Sequence, residues 1–260
     1  MSDVGFLGAG TLYVDRENTS GVATGLLAIG NATKFEIKPD GEIKERPSMM
    51  KATYGQNLDT VSIPKPQKIS ITIDNLNMDN LALALLGSTA VLTQNAGSIN
   101  NESVTTIWDR GVDLAHANID IATAIVWSGA GLFHDSGTST IYEEGADYTL
   151  TASGILTALS TGAITENKVV KVEYSWGAIA GQVVSGATTP RIIARLKLDG
   201  MNYTDSKNVI VNVPRAMLQP TGPVNFISKD FESITLEGTL ITATGQTTPY
   251  TIQNYASSTF

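Results

Sequence analysis

The chain has 260 residues, 25 acidic against 17 basic side chains, a formal net charge of −8 and no cysteine. The missing thiols exclude a disulfide framework, a thiolate zinc site and a cysteine nucleophile, and the acidic balance without a basic stripe argues against a tight grip on nucleic acid. No stretch approaches the roughly 18 apolar residues of a membrane helix, and Met1–Gly5 has neither the basic nor the apolar segment of a secretory signal. A soluble protein made in a cytoplasm is therefore expected, with 42% hydrophobic residues to build a core. Charge is uneven: residues 101–180 hold ten acids and three bases, a net of −7.

In chain order, the glycine-rich Gly5–Gly10 reads as a mobile arm leading into a strand at Thr11–Asp15. A second strand is expected at Ala32–Lys38, with Lys34, Glu36 and Lys38 on its wet face. Pro39-Asp40-Gly41 is a turn signal. Glu42 to Pro66, bounded by Pro47, Pro64 and Pro66, reads as a long polar loop, and connections of that length usually have a task such as contact with a partner. Ile69, Ile71 and Ile73 then alternate with Lys68, Ser70, Thr72 and Asp74, the period of a strand with one dry face. Spacing switches to helical: Asn77 or Asp79 caps, Leu81, Leu83, Ala84, Leu85 and Leu86 form an apolar stripe, and Gly87 stops the helix.

From Val91 to Trp176 the chain is rich in Gly, Ser, Thr and Ala and carries all three tryptophans. Tyr142–Leu150 reads as two strand pieces around a glycine turn, followed by strands at Gly154–Leu159 and Lys168–Trp176. After a Gly/Ser/Thr linker, Gly181 to Thr189, strands return. Ile192, Ala194, Leu196 and Leu198 alternate with Ile193 and the cations Arg191, Arg195 and Lys197; Val209, Val211 and Val213 share a face and Pro214 ends their strand; Phe231–Thr242 places Ile234, Leu236, Gly238 and Leu240 on one face. The expected class is mainly β (α+β): an antiparallel β-sandwich with a flanking short α-helix and an inserted small β domain. The expected divisions are 1–95, first half of a core; 96–180, an inserted, outward-facing β-rich domain; and 181–260, the second half.

No constellation for catalysis stands out. Gly5-x-x-Gly8-x-Gly10 lacks the strand and helix that make a phosphate loop. His116 and His134, with Asp113, Asp120 and Asp135 nearby, lack metal-ligand spacing, Glu143, Glu144 and Asp147 form no calcium loop, and there is no G-x-S-x-G elbow. No catalytic residue, metal or cofactor is expected, and the chain is not expected to be an enzyme.

The motifs run in a particular order: G-N-A-T-K-F-E-I (30–37), K-I-S-I-T-I-D (68–74), D-N-L-A-L-A-L-L-G (79–87), R-x-x-x-R-L-x-L-D-G-x-N (191–202), V-x-V-P-R-A-M-L (211–218) and F-E-S-I-T-L-E-G-T-L (231–240). This order resembles the major tail tube proteins of long-tailed bacteriophages, across roughly residues 5–90 and 185–245. Gly145, Asp147, Tyr148, Gly154 and Ile155 resemble a pattern in small β modules of phage structural proteins. The resemblance implies a tail-tube fold whose copies close into rings, usually hexameric, that stack into a conduit for phage DNA. It implies as partners the chain itself, other tail proteins (terminator, tape measure, distal tail) and genomic DNA that passes without tight binding, with no membrane. It implies location in the virion tail after synthesis in the host cytoplasm. On that basis Glu42, Arg46, Met49, Met50, Tyr54, Leu58 and Val61 are candidates for a subunit or ring-to-ring interface. Ser70, Thr72, Thr235, Glu237 and Thr239 are candidates for the lumen. A second reading, a carbohydrate- or surface-binding β module, draws on Trp108, Trp127, Trp176, Tyr142 and Tyr148; aromatics exposed along one groove favour it, and buried ones do not.

Overall fold

The computed structural model describes residues 5–18, 20–134 and 137–256. They are mainly β, in antiparallel sheets, with one short helix. Two compact units separate: residues 1–90 with 183–260, and residues 91–182.

The first unit opens with β1 (Gly8–Arg16), β2 (Leu27–Ala28), β3 (Ala32–Pro47), β4 (Asn57–Ile73) and the helix α1 (Met78–Ala84). The chain leaves it through β5 (Ser88–Gln94). The second unit contains β6 (Gly97–Thr105), β7 (Gly111–Asp113), β8 (Ile119–Ser128), β9 (Thr140–Tyr142), β10 (Tyr148–Leu150), β11 (Ile155–Ala158) and β12 (Val169–Trp176). The return is made by β13 (Ile179–Ser185), which pairs with β5, and the first unit ends with β14 (Ile192–Asn202), β15 (Lys207–Pro220), β16 (Ile234–Leu240) and β17 (Thr251–Tyr255).

In the first unit the sheet order is β2-β1-β14-β15-β16-β4-β3, with β17 also paired to β15. Laid flat, its outermost strands would lie six strand spacings apart, about 29 Å. Only residues 29–31 join β2 to β3, a link that spans at most about 14 Å. The sheet must therefore roll until its borders approach, with its halves facing each other across one core. That core holds Leu12, Val14, Ile69, Ile71, Ile73, Leu196, Val211, Val213, Leu236 and Leu240, with Leu83 and Ala84 of α1 packed on it. The alternation read from Ile69–Ile73, Ile192–Leu196 and Ile234–Leu240 produces this dry face.

The helix is capped by Asn77, whose side chain accepts from the Asn80 amide. Its end is a Schellman motif: the Leu86 amide donates to Leu83 and the Gly87 amide to Ala82. Leu86, not Gly87, takes the left-handed conformation, φ +50°. Gly87 is needed for a close approach instead, since a Cβ there would lie 2.5 Å from the Ser185 carbonyl oxygen.

Six expectations are corrected. Gly5–Gly10 is not an arm: β1 already begins at Gly8, and the Leu7 amide donates to Asn202 Oδ1. Pro39-Asp40-Gly41 is not a turn. It is a bulge through which β3 continues, the register shifting between Lys38 and Asp40. Glu42–Pro66 is consequently no loop but most of a long two-stranded ribbon of β3 and β4 closed by residues 48–56. Its prolines misled because proline is tolerated on strand borders that need no donor. Part of the Gly181–Thr189 linker is β13. Pro214 interrupts rather than ends its strand, sitting where the β14–β15 register shifts while β15 runs on to Pro220. Finally, β16 starts at Ile234, and Phe231 stands outside it in solvent.

In the second unit, a four-stranded sheet (β6-β12-β8-β9) and a three-stranded sheet (β10-β11-β7) share one core of Val126, Tyr142, Tyr148, Leu150, Leu156, Val170, Val172 and Tyr174. Two sheets around a common core make a small β-sandwich.

Candidate functional site

The polar side of the first unit's sheet gathers all five lumen candidates. Cross-strand register places Ser70 opposite Glu237, Thr72 opposite Thr235 and Lys68 opposite Thr239. On the other side of β4, Glu36 faces Ser70 and Lys34 faces Thr72. The Thr72 and Thr235 hydroxyls are 3.2 Å apart. Ser70, Glu237 and Thr239, with Lys34, Lys38, Gln219 and Thr221, line an open polar hollow of about 600 Å³. Lys34 Nζ lies 2.6 Å from Glu36 Oε2, and this hydrogen bond holds the Glu36 carboxyl below its ordinary value. Because strand side chains alternate, the polarity of this face and the dryness of Ile69–Ile73 are one fact seen from two sides.

The interface candidates lie on the β3–β4 ribbon. Register assigns Glu42, Arg46 and Val61 to one face, together with Lys44, Asp59 and Ile63. Leu58 is the extra residue of the bulge near the tip. Met49, Met50 and Tyr54 crown the turn, which Ser48 organises: its buried hydroxyl meets Thr53 Oγ1 at 2.7 Å, and its backbone pairs with Gln56 and Gly55. Gly55 supplies the positive φ that closes the turn. Ile43, Met49, Met50, Tyr54 and Val61 each expose more than half of their surface. Ile43 projects from the opposite face to Val61 and Ile63, so apolar groups emerge on both sides. Over residues 57–65, β4 pairs only with β3 among the described residues. The ion pairs of Glu42 with Lys65 and Lys44 are exposed and contribute little.

Three open borders accompany the ribbon among the described residues. β3 pairs only with β4, β17 only with β15, and β1 meets β2 at Tyr13 and Val14 alone on its outer side. The sequence reading missed Ile43 and Ile63, whose β-branched alternation inside a proline-rich segment was the available signal. It also missed the exposed Phe226, Ile227 and Phe231 before β16.

In the second unit the aromatic residues are mostly structural. Trp127, Tyr142 and Tyr148 are buried, and the Lys171 ammonium caps the Trp127 ring at 4.6 Å. Trp108 is exposed, at 38%, and donates from Nε1 to the Ile164 carbonyl at 2.7 Å. Trp176 stacks on His116, centroids 3.5 Å apart, and His116 Nδ1 lies 3.1 Å from the Tyr174 hydroxyl, which donates to Glu102. His134 pairs instead with Glu173 at 3.1 Å, so the structure does not bring the two histidines to one centre; Asp135 lies outside the described residues. Asp147 clamps a turn, accepting from the Ala163 and Glu143 amides, and those bonds lower its carboxyl below the usual value.

The geometry defines a class: an antiparallel β protein built on a rolled sheet with a projecting ribbon, its chain interrupted by a small β-sandwich. Over residues 5–257 the sequence matches the family described as Protein of unknown function UCP028589, and the chain belongs to that family. No curated protein matches it.

Proposed function

We propose that this chain is a structural subunit completed by copies of itself: the tail tube protein of a long-tailed phage, closing into rings that stack around a lumen. The observation that carries the reading is the β3–β4 ribbon, a long unpartnered hairpin with large apolar groups on both faces. An isolated two-stranded ribbon is marginal in water, and open strand borders are templates for further pairing; adjoining copies remove both liabilities. The order of the motifs supports the particular assignment. In the assembled tube, Ser70, Thr72, Thr235, Glu237 and Thr239 face the lumen. Glu42, Arg46, Met49, Met50, Tyr54, Leu58 and Val61 seat the ribbon on a neighbour, and the unit of residues 91–182 is displayed outward, its acidity serving solubility. Terminator, tape measure and distal tail proteins are the partners at the ends, and DNA passes without being held.

The rival glycan-binding reading needs exposed aromatics along a groove, whereas Trp127, Tyr142 and Tyr148 are core residues. Electron microscopy of the concentrated protein separates the two. Rings or tubes with a central hole support the assembly reading; discrete monomers that bind glycans overturn it.

A further inference from the structure

A cleft of about 320 Å³ in the first unit collects three guanidinium groups, Arg16, Arg191 and Arg215, against a single carboxylate, Glu17. Each arginine arrives by a different route. Arg16 ends β1, Arg191 immediately precedes β14, and Arg215 projects from the irregular register beside Pro214 in β15. Arg16 donates to the Gly87 carbonyl and to Thr189 Oγ1, both at 2.8 Å. Its partners are thus neutral, and burial lowers its pKa. Arg215 Nη2 donates to Glu17 at 3.0 Å, while its Nε is buried with no partner. Arg191 is exposed and has no ion-pair partner among the described residues.

We propose that this cleft is an oxyanion socket and that its occupant is a carboxylate from a second copy of the chain. Guanidinium forks fit carboxylates and phosphates bidentately, and a buried cationic N–H without an acceptor is costly until one arrives. The cleft has two more positive charges than negative ones, in a chain whose net charge is −8. Acids are what another copy offers in abundance: the chain carries 25, among them the exposed Glu45 and Asp59 of the ribbon that the assembly reading seats on a neighbour. The identity of the source rests on the self-assembly reading; the socket does not.

The test uses the full chain with inorganic phosphate as the probe, at constant ionic strength. Arg191→Gln is the primary variant because the Arg191 side chain makes no hydrogen bond or ion pair among the described residues; Arg191→Glu reinforces it, and Lys229→Gln controls for charge. Phosphate is expected to raise the melting temperature of dilute wild type and of Lys229→Gln, but not of the Arg191 variants. Sedimentation is expected to show self-association weakened about tenfold or more in those variants, as loss of a charge-assisted contact implies, and weakened by phosphate in wild type. An equal phosphate response in all variants overturns the socket. An Arg191-dependent response with unchanged association overturns the second copy as source and assigns the cleft to free phosphate, leaving the assembly reading intact. Wild type that never associates while phosphate still binds through Arg191 overturns the second-copy source together with the assembly reading, and not the socket.

Discussion

The side chain of Asn80, buried in the first turn of α1, donates to the Ile29 carbonyl at 2.8 Å and to the Asn75 carbonyl at 2.7 Å. Ile29 belongs to the three-residue link between the outermost strands, so one amide fastens the helix to the place where the rolled sheet approaches itself. Asn80→Ala leaves those carbonyls without their donor and is expected to cost about 1–3 kcal/mol, read as a lower midpoint in urea with an unchanged slope. A loss below about 0.5 kcal/mol, the range of ordinary surface substitutions, would mean that the helix is held by Leu83 and Ala84 alone.

Gly238 makes a second prediction. A Cβ at this position would fall 2.0 Å from the Met217 carbonyl oxygen, a backbone atom that cannot swing aside. Gly238→Ala is expected to destabilise the first unit by on the order of 3 kcal/mol. Gly181→Ala, with nothing within 4 Å, is the control and should stay within about 0.5 kcal/mol of wild type.

Much of this fold was legible in the sequence, for a physical reason. The Ile69–Ile73, Ile192–Leu196 and Ile234–Leu240 alternations are local records of a face that the core buries. The Asn77 cap and the turn at Gly145 are equally local. The ribbon was hard to read, because a hairpin with no buried face gives only a short alternation, Val61 and Ile63 about Ser62, and Pro47, Pro64 and Pro66 read as breakers. Asn80 was overlooked for a related reason: its partner at Ile29 is 51 positions away. The polar face bearing Ser70 and Glu237 followed from the strand period, whereas the bulge beside Pro214 that positions Arg215 depends on pairing with β14.

Tyr174 predicts a pH effect in the second unit. Burial first, and then its hydrogen bond to Glu102, push the phenol well above its ordinary value. A group raised in the folded state lends stability that is fully present below its unfolded pKa, about 10, and that is lost as pH climbs from there towards the folded value. Stability should therefore fall above about pH 10, and Tyr174→Phe should remove that component of the slope. Ultraviolet titration checks it directly: a phenol at position 174 ionising at the unfolded value would contradict the account.

The crown of the ribbon should be separable from folding. Met49, Met50 and Tyr54 are exposed, so Met49→Ser, Met50→Ser and Tyr54→Ser together should leave the melting temperature within a few degrees of wild type. The same triple variant is expected to lose self-association by sedimentation. Unchanged association would mean that the ribbon is an idle surface feature.

Hydrogen exchange across a concentration series tests the central claim most directly, that neighbouring copies complete the ribbon and the open borders. Amides of Met49–Val61 and of the outer border of β3 are expected to exchange readily in dilute protein and to become protected as concentration rises, while the Ile69–Ile73 core amides stay slow throughout. Protection at Met49–Val61 that is identical from the most dilute sample to the most concentrated would contradict it.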